Sequence, residues 1–446
     1  MGVPNTKFIG YDEVSTITGV MLIEKNFVAT RETPFYAEMG GQVGDTGKLK
    51  LIMGDQTFPE KVYTVENTIR SGAGGTVLHK IAETVNFRSD AAVILEIDQP
   101  RRHKIEAHHS GTHLMNWALR KVLGNTITQK GSYVGPDRLR FDFSHSGALT
   151  HEELAEVERL VNEKINEDVP VKWEERAYME VKGDPSILQF FGEKYGDTVR
   201  VVSIGDFSRE LCGGTHVRQS GKVGYFKILH EAAIAAGIRR IEAVSGDAIA
   251  DFAKDHLPKQ DEQFAALRAR KSDLAALPGF SDSESPEALW QHYAAREKCL
   301  HEAAAAVAQH EKDEAKRQEA LFQKRAAETA PDLIGAANDI NGVPFLAVEI
   351  EGAPAAYLPV LADALKTRWQ GVAVLAAVDQ GKVALLAAVA PAYAKKIQAG
   401  KIIQAIAPLV GGKGGGRPEL AQGGGTKPEG VAAALAKAGE FVHGIS

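Results

Sequence analysis

The chain has 446 residues, of which 44% are hydrophobic and 25% are charged, which is typical of a soluble globular protein and favours two to four domains. Its two cysteines exclude a disulfide scaffold, and it shows neither a secretory signal nor an apolar stretch of about 20 residues, so we expect a cytoplasmic protein that does not contact a membrane. The formal net charge of −6 does not by itself indicate a nucleic-acid partner, but it leaves one open because acidic proteins can bind RNA through local basic patches.

Residues 1–98 are predicted to form a β-rich part of the protein. Short apolar segments at 14–22, 75–81 and 91–97 are separated by Gly, Asn and Asp, which favour turns. The stretch YAEMGGQVGDTG (36–47) contains too much glycine for the interior of a strand. It predicts tight turns or a close approach of the backbone to a ligand.

Residues 99–250 are predicted to form a mixed α/β domain. A helical pattern begins at Pro100 and ends at Gly124, and a second helix begins at Thr150, which can form a capping box with Glu153. The elements that follow the first helix are a strand at 138–143, the helix at 150–168 and strands at 199–204, 224–231 and 239–246.

Residues 251–335 are dominated by Ala, Lys, Glu and Gln with helical spacing. We predict two helices separated by a loop at 277–289, which would act as a helical spacer or a dimerisation arm. The heptad pattern is too poorly sustained for a long coiled coil. A homodimer through the helical and C-terminal regions is therefore one of the alternatives.

Residues 336–446 are predicted to form a small α/β domain, because strand and helix patterns alternate. The predicted strands lie at 343–350, 372–378 and 383–389, and the predicted helices at 359–369, 394–410 and 428–442. The glycine-rich stretch at 411–425 predicts a loop whose N–H groups, with Lys413 and Arg417, can cradle a phosphate. The fold class of the whole chain is thus predicted to be α+β.

Two short motifs each place two potential metal ligands four residues apart. His109 and His113 are i and i+4 on the predicted first helix, so both project from one face. Cys212 and His216 flank a glycine pair in a predicted loop. Three imidazoles and one thiolate suit Zn²⁺. Since zinc with four protein ligands is usually structural and catalytic zinc keeps a position for water or substrate, the motifs alone leave both roles open.

The motifs and their flanks resemble the editing region of bacterial alanyl-tRNA synthetases in order and spacing. The similar segments lie at 8–13, 33–47, 109–124, 129–134, 139–145, 191–216 and 235–246. The stretch GGKGGGRPELAQGGG (411–425) is similar to the hallmark of the family's C-terminal DHHA1-type domain, which also occurs in DHH-type phosphoesterases. The resemblance covers nearly the whole chain, more loosely at 251–340.

The resemblance implies a zinc-dependent deacylase that releases serine, and glycine as well, from mischarged tRNA(Ala). Such a step has a physical reason, since an alanine-sized pocket cannot reject glycine sterically and discriminates poorly against an added hydroxyl. The zinc ligands implied by the family are the two motif pairs, His109, His113, Cys212 and His216. The C-terminal domain is implied to bind the outer corner of the tRNA.

The resemblance also implies site residues around the metal. Thr112 and Gln129 resemble polar, catalytic pocket residues, and we add Asp206 and Arg240 as polar neighbours of the site. The residues implied to contact the substrate are Thr33, Gly40, Gly41, Gln42, Lys413 and Arg417. Each has a purely structural alternative, such as a turn, a surface ion pair or a bond to the helix backbone. Arg101, Arg102 and Lys104 are a second candidate tRNA contact, or else a solvated helix start.

The main alternative to an enzyme is a non-catalytic tRNA-binding or dimerisation module with a structural zinc. A phosphoesterase is disfavoured because no Asp-His-His cluster is present. Nothing in the sequence resembles the aminoacylation domain of the family, so we expect no charging of tRNA. A free-standing editing factor and a fragment of a synthetase both agree with the sequence.

Overall fold

The computed structural model describes residues 5–52, 61–71, 75–88, 91–189, 195–279 and 285–445. The chain divides into two compact units, Met1–Ala303 and Ala304–Ser446. Parts of two predicted segments, 191–194 and 280–284, lie outside the described residues. Within the described ranges, no helix is both long enough and apolar enough to cross a membrane.

The β-rich part predicted at the N-terminus is present, and its strands build a closed barrel, which the sequence pattern did not specify. The strands are β1 (Lys7–Phe8), β2 (Ser15–Glu24), β3 (Phe27–Thr30), β4 (Glu32–Thr33), β5 (Gly47–Ile52), β6 (Lys61–Arg70), β7 (Val77–Ile81) and β8 (Ala92–Ile97). Six of them close in the order β2-β3-β7-β6-β5-β8, with all neighbours antiparallel, and β1 pairs with β4 in parallel. Along β6, Tyr63 and Val65 point into the core while their neighbours are exposed, because side chains of a strand alternate between faces.

The next part packs two helices against a four-stranded sheet. Its elements are α1 (Gln99–Leu123), β9 (Gln129–Val134), β10 (Leu139–Ser144), α2 (His151–Asn166), β11 (Val171–Ala177), α3 (Tyr178–Val181), β12 (Thr198–Ile204), β13 (Ser208–Leu211), β14 (Phe226–Ala235) and β15 (Ile238–Ser245). The sheet has the order β14-β15-β10-β9, and β11-β12-β13 form a second, three-stranded sheet.

Both predicted helices of this part are present with their predicted ends. Asp98 caps α1 by accepting a hydrogen bond from the Arg101 N–H, and Gly124 ends the helix with φ +100°. The capping box of Thr150 and Glu153 starts α2. Because α1 is buried on several sides, it can carry both core residues and a functional site.

Two long helices follow, α4 (Ala248–Arg270) and α5 (Pro286–Gly335). Helix α4 begins three residues before the helical region predicted at 251–335. Within the first unit the two helices contact each other through Arg296, which donates a hydrogen bond to Gln260 Oε1 at 2.9 Å and pairs with Asp261. These contacts agree with the predicted pair of helices.

The second unit contains a six-stranded sheet with helices on both faces. Its elements are β16 (Asn338–Ile340), β17 (Val343–Glu349), α6 (Tyr357–Lys366), β18 (Val372–Asp379), β19 (Lys382–Val389), α7 (Ala399–Ile406), β20 (Lys413–Gly416), β21 (Leu420–Gly425) and α8 (Val431–His443). The strand order is β16-β17-β18-β19-β21-β20. One apolar core lies under α7 and α8, and the other lies under α6 and the end of α5.

Two predictions for the second unit were wrong. The helix expected at 394–410 begins only at Ala399, and the glycine-rich stretch at 411–425 is a β-hairpin at the sheet edge and not a loop. Glycine is required there because α7 packs directly on the hairpin: a Cβ on Gly414 would lie 2.4 Å from Ile403 Cγ2. The low β-propensity of glycine is thus outweighed by the close packing between the hairpin and α7.

Candidate metal centre

The four predicted ligand residues meet in the first unit. Helix α1 supplies His109 and His113 from one face, and the loop after β13 supplies Cys212 and His216. Their potential ligand atoms all lie within 4.8 Å of one another. Cys212 Sγ is 3.3 Å from His109 Nε2 and 3.4 Å from His216 Nε2. This group could hold one metal ion.

Burial keeps the three imidazoles neutral. It lowers the pKa of His113 to about 3, assisted by the positive charge of Arg200. Burial and the neighbouring histidines also lower the pKa values of His109 and His216 well below the usual 6.5. Since a histidine binds a metal only in its deprotonated form, the site is ready for a cation at neutral pH.

Side chains outside the loop that carries Cys212 and His216 hold its backbone through hydrogen bonds to its carbonyl groups. Arg200, on β12, donates hydrogen bonds to Gly214 O at 2.5 Å and to Cys212 O at 3.2 Å. Its guanidinium lies over the rings of Tyr11, at 3.8 Å, and Trp173, at 4.6 Å. The Tyr11 hydroxyl donates to Gly213 O at 2.7 Å. The loop conformation therefore depends on side chains from distant parts of the sequence.

Two of the three histidines of the site have an outer hydrogen-bond neighbour that orients the ring. His109 Nδ1 lies 2.7 Å from Gln42 Oε1, and His216 Nδ1 lies 3.1 Å from Ser110 Oγ. His113 Nδ1 has no hydrogen-bond partner among the residues that the structure describes, and its nearest carboxylate oxygen is Glu210 Oε2, at 3.6 Å. Burial raises the pKa of Glu210 to about 8. Such outer contacts fix the ring orientation of metal-binding histidines.

The cluster borders a cavity of about 190 Å³. Three of the four ligand residues line it, and His216 lies behind them. The other side chains and backbone of the wall come from α1, β9, β10, β13 and the turns around Gly40 and Gly213; they are Tyr36, Met39, Gly40, Thr112, Asn116, Gln129, Ser132, Val134, Phe141, Glu210, Leu211, Gly213 and Gly214. A cavity at the ligand cluster distinguishes this site from one that is closed on all sides.

Some of the predicted site residues share this cavity. Thr112, Gln129 and Gly40 line it. The Thr112 hydroxyl donates to His108 O at 2.8 Å, so the structural alternative for this residue also applies. Gly41 lies beside the cavity, where its carbonyl accepts a hydrogen bond from Val134 N at 2.8 Å. Gln42 is fully buried and contacts His109 and Thr215, which places it behind a ligand and not in the cavity wall.

Other predicted site residues are not brought to the cavity. The Thr33 hydroxyl is buried against His79 Nε2, at 2.7 Å, and it accepts a bond from Phe35 N. Asp206 is exposed in the turn between β12 and β13. Arg240 forms a bidentate ion pair with Asp142 across β15 and β10, at 2.7 and 2.8 Å. These three residues therefore agree with their purely structural alternatives, which are a buried hydrogen bond for Thr33, a turn for Asp206 and an ion pair for Arg240.

The two C-terminal cations belong to the second unit. Lys413 is exposed on β20, and Arg417 is exposed in the turn of the hairpin. Arg417 borders a wide cavity of about 990 Å³, whose wall also contains Lys366 and Lys395.

Sequence reasoning missed several residues around the cluster. Asn116 and Glu210 line the cavity, while Ser110, Arg200 and Tyr11 support the ligands from outside. For Asn116 a signal existed, because it is i+4 from Thr112 and i+3 from His113 on the same helix. Arg200 and Tyr11 gave no such signal, because their role depends on contacts with residues far along the chain.

Family models match both units of the chain. Residues 199–242 match the threonyl and alanyl tRNA synthetase second additional domain, and residues 342–444 match the DHHA1 domain. The fold and the matched domains define a protein of the synthetase-related class that combines these two domains.

The similar curated proteins are alanine–tRNA ligases. The chain is 43% identical over 420 residues to the ligase of Methylacidiphilum infernorum, covering 94% of this chain and 44% of that ligase. It is 40% identical over 428 residues to the ligase of Burkholderia vietnamiensis, covering 96% of this chain and 45% of that ligase. The chain thus spans less than half the length of these relatives. The predicted resemblance to alanyl-tRNA synthetases is confirmed by the two domains and these relatives.

A solved structure also matches the chain. The C-Ala domain of Aquifex aeolicus alanyl-tRNA synthetase aligns with 24% of this chain and 97% of that domain, at 26% identity and a TM-score of 0.23.

Proposed function

We propose that the chain hydrolyses the ester bond that joins a wrongly attached serine or glycine to tRNA(Ala). Water is added across the ester, which yields the free amino acid and a tRNA with a free terminal ribose hydroxyl. The observation that carries the proposal is that the ligand cluster borders a small cavity which Thr112 and Gln129 also line. A purely structural metal site has no need of such a cavity.

Zinc is the metal that the donor set favours. Ligand atoms around a tetrahedral zinc lie about 3.3–3.6 Å apart. The two sulfur–nitrogen distances of 3.3 and 3.4 Å fall in this range, and the whole set, within 4.8 Å, would contract by about 1 Å around an ion. His109, His113, Cys212 and His216 would hold the ion. When bound, zinc supplies a Lewis acid that can polarise an ester carbonyl or lower the pKa of a bound water.

The chain's own residues would bind and orient the aminoacyl group. Because Thr112 donates its hydrogen to the His108 carbonyl, its oxygen can only accept a hydrogen bond from a substrate. Gln129 brings both a donor and an acceptor to the cavity wall. Phe141 and Val134 add apolar surface, which keeps bulk water away from the ester.

The partners follow from the same proposal. We propose tRNA(Ala) as the RNA partner, with Lys413 and Arg417 available to its phosphates because both are exposed. A cytoplasmic location agrees with a chain whose two cysteines, Cys212 and Cys299, cannot form a disulfide framework. The homodimer through the helical and C-terminal regions stays a prediction.

The proposal is tested by deacylation of Ser-, Gly- and Ala-tRNA(Ala) with the purified chain. We expect release of serine and glycine, sparing of alanine, and a fall to the uncatalysed rate in Cys212→Ala, which lacks a ligand. Cys299→Ala removes the other cysteine, which does not line the cavity, and should keep the wild-type rate. If wild type binds zinc and tRNA but releases neither amino acid, the chain is the non-catalytic module and the proposal fails.

Gln42 offers a way to separate metal binding from catalysis. Gln42→Ala removes the bond to His109 Nδ1, so we expect its zinc affinity to fall about 10- to 100-fold in competition with a chromophoric chelator. Gln129→Ala, in the cavity wall but without a bond to a ligand, should bind zinc normally and lose deacylation. Equal zinc affinities in the two variants would contradict the role of Gln42.

A further inference from the structure

A buried pair of polar side chains lies in the wall of the site cavity. Asn116 Nδ2 donates to Glu210 Oε1 at 3.3 Å, and the two residues are 5% and 2% exposed. Both line the same cavity as His109, His113 and Cys212. A carboxamide and a carboxyl group at such a depth are costly unless they have partners. Beyond their mutual bond, a carboxamide and a carboxyl group each keep further hydrogen-bonding capacity, which a ligand of matching polarity in the cavity can use.

The pair lies directly beside the ligand cluster. Asn116 is one helical turn beyond His113 on α1, so both project from the same face. Glu210 Oε2 is 3.6 Å from His113 Nδ1. A substrate with its ester at the cluster can thus reach the pair with a short side chain.

The other hydroxyl groups of the cavity are committed to the main chain. Thr112 donates to His108 O, Tyr36 donates to Met39 O at 3.1 Å, and Ser132 donates to Gly40 O at 3.4 Å. Asn116 and Glu210 instead bond to each other, at a distance near the long end for a hydrogen bond. They can turn to a ligand without breaking a bond to the backbone.

We propose that Asn116, with Glu210 as its partner, is the specificity-determining residue for the hydroxyl group of a wrongly attached serine. This inference rests on the proposed deacylase function. A serine hydroxyl both donates and accepts, so it can pair with the carboxamide and the carboxyl group together. The methyl group of a correctly attached alanine can neither donate nor accept a hydrogen bond, so it would press against the polar pair without a bond in return, which disfavours its hydrolysis. Glycine carries no side chain, so its release does not depend on the pair.

The test compares kcat/KM for Ser-tRNA(Ala) and Gly-tRNA(Ala) in the full chain. Asn116→Leu, of similar size, should lower the value for serine about 10- to 100-fold and leave that for glycine within about twofold. Ser132→Ala, also in the cavity wall, should leave the ratio of the two values unchanged. Zinc content and thermal unfolding report whether the leucine variant folds. If it does not, Asn116→Ala replaces it, and we expect the same fall in kcat/KM for serine with an unchanged value for glycine.

Two outcomes would overturn the inference while leaving the deacylase function intact. One is an equal fall for both substrates in the Asn116 variants, and the other is no change for either. Inactive wild type on both substrates would instead overturn the proposed function, and the inference with it. The glycine rate within each variant serves as the internal control for an intact site.

Discussion

Gly214→Ala is expected to lose zinc as completely as a variant that lacks a ligand, with an affinity loss of about 100-fold or more. A Cβ at this position would lie 2.0 Å from His109 Cε1 and 2.3 Å from His109 Nδ1. It would also lie 2.7 Å from Gln42 Oε1, which now accepts the His109 bond. The imidazole would have to leave its place, because these separations are far shorter than van der Waals contact.

Gly213→Ala provides the matched control for this prediction. A Cβ on Gly213 meets only Met39 Cε, at 3.3 Å, and that end of a flexible side chain can move aside. We therefore expect Gly213→Ala to keep wild-type zinc content and Ser-tRNA(Ala) deacylation, both of which Gly214→Ala loses. Wild-type zinc affinity in Gly214→Ala, with an unchanged thermal unfolding curve, would show that His109 is not held as the structure places it.

Arg102→Met is expected to lower the free energy of unfolding of the first unit by about 3–5 kcal/mol. Arg102 and Asp45 form an ion pair in which both side chains are at most 3% exposed. Arg102 also donates to Gly10 O at 2.8 Å and to Pro34 O at 2.9 Å. Its removal leaves a buried carboxylate and two carbonyls without these partners, which is more costly than the loss of one contact.

Urea unfolding followed by circular dichroism measures this loss. Arg101→Met is the control, because Arg101 is only half-buried and makes one side-chain bond, to Gly44 O at 2.9 Å; we expect a change within about 1 kcal/mol. Arg102→Met combined with Asp45→Leu should recover part of the loss, since no charge then stays buried alone. A single variant as stable as wild type would contradict the buried pair.

The same ion pair corrects the interpretation of the basic residues at the start of α1. Arg102 is buried and cannot contact a tRNA phosphate, and Lys104 pairs with Asp251. A run of cations has the same appearance in a sequence whether its members face solvent or the core. Of these three cations, Arg101 is the one whose side chain bonds to a backbone carbonyl, Gly44 O, and to no carboxylate among the described residues.

Local patterns accounted for much of the fold because local physics governs them. The ends of α1 and α2 follow from a cap, a capping box and a glycine, all within a few residues of each helix end. The spacing of His109 and His113 likewise determines that their side chains share one helix face. The hairpin at 411–425 could not be predicted in this way, since its glycines are selected by α7 and not by local propensity.

Motif spacing and periodicity are properties of neighbouring residues, so the group of four potential metal ligands and the mixed α and β content could be predicted without a structure. Which polar residues surround the four side chains depends instead on contacts between distant parts of the chain. His108 and His109 are adjacent histidines, yet His108 bonds Gly135 O and Ser245 N while His109 faces Cys212. Thr33 and Gln42 were both expected to contact substrate. In the structure Thr33 is buried against His79 of the barrel, and Gln42 bonds to His109. These differences arise from contacts between residues 27 to 137 positions apart, which no local pattern encodes.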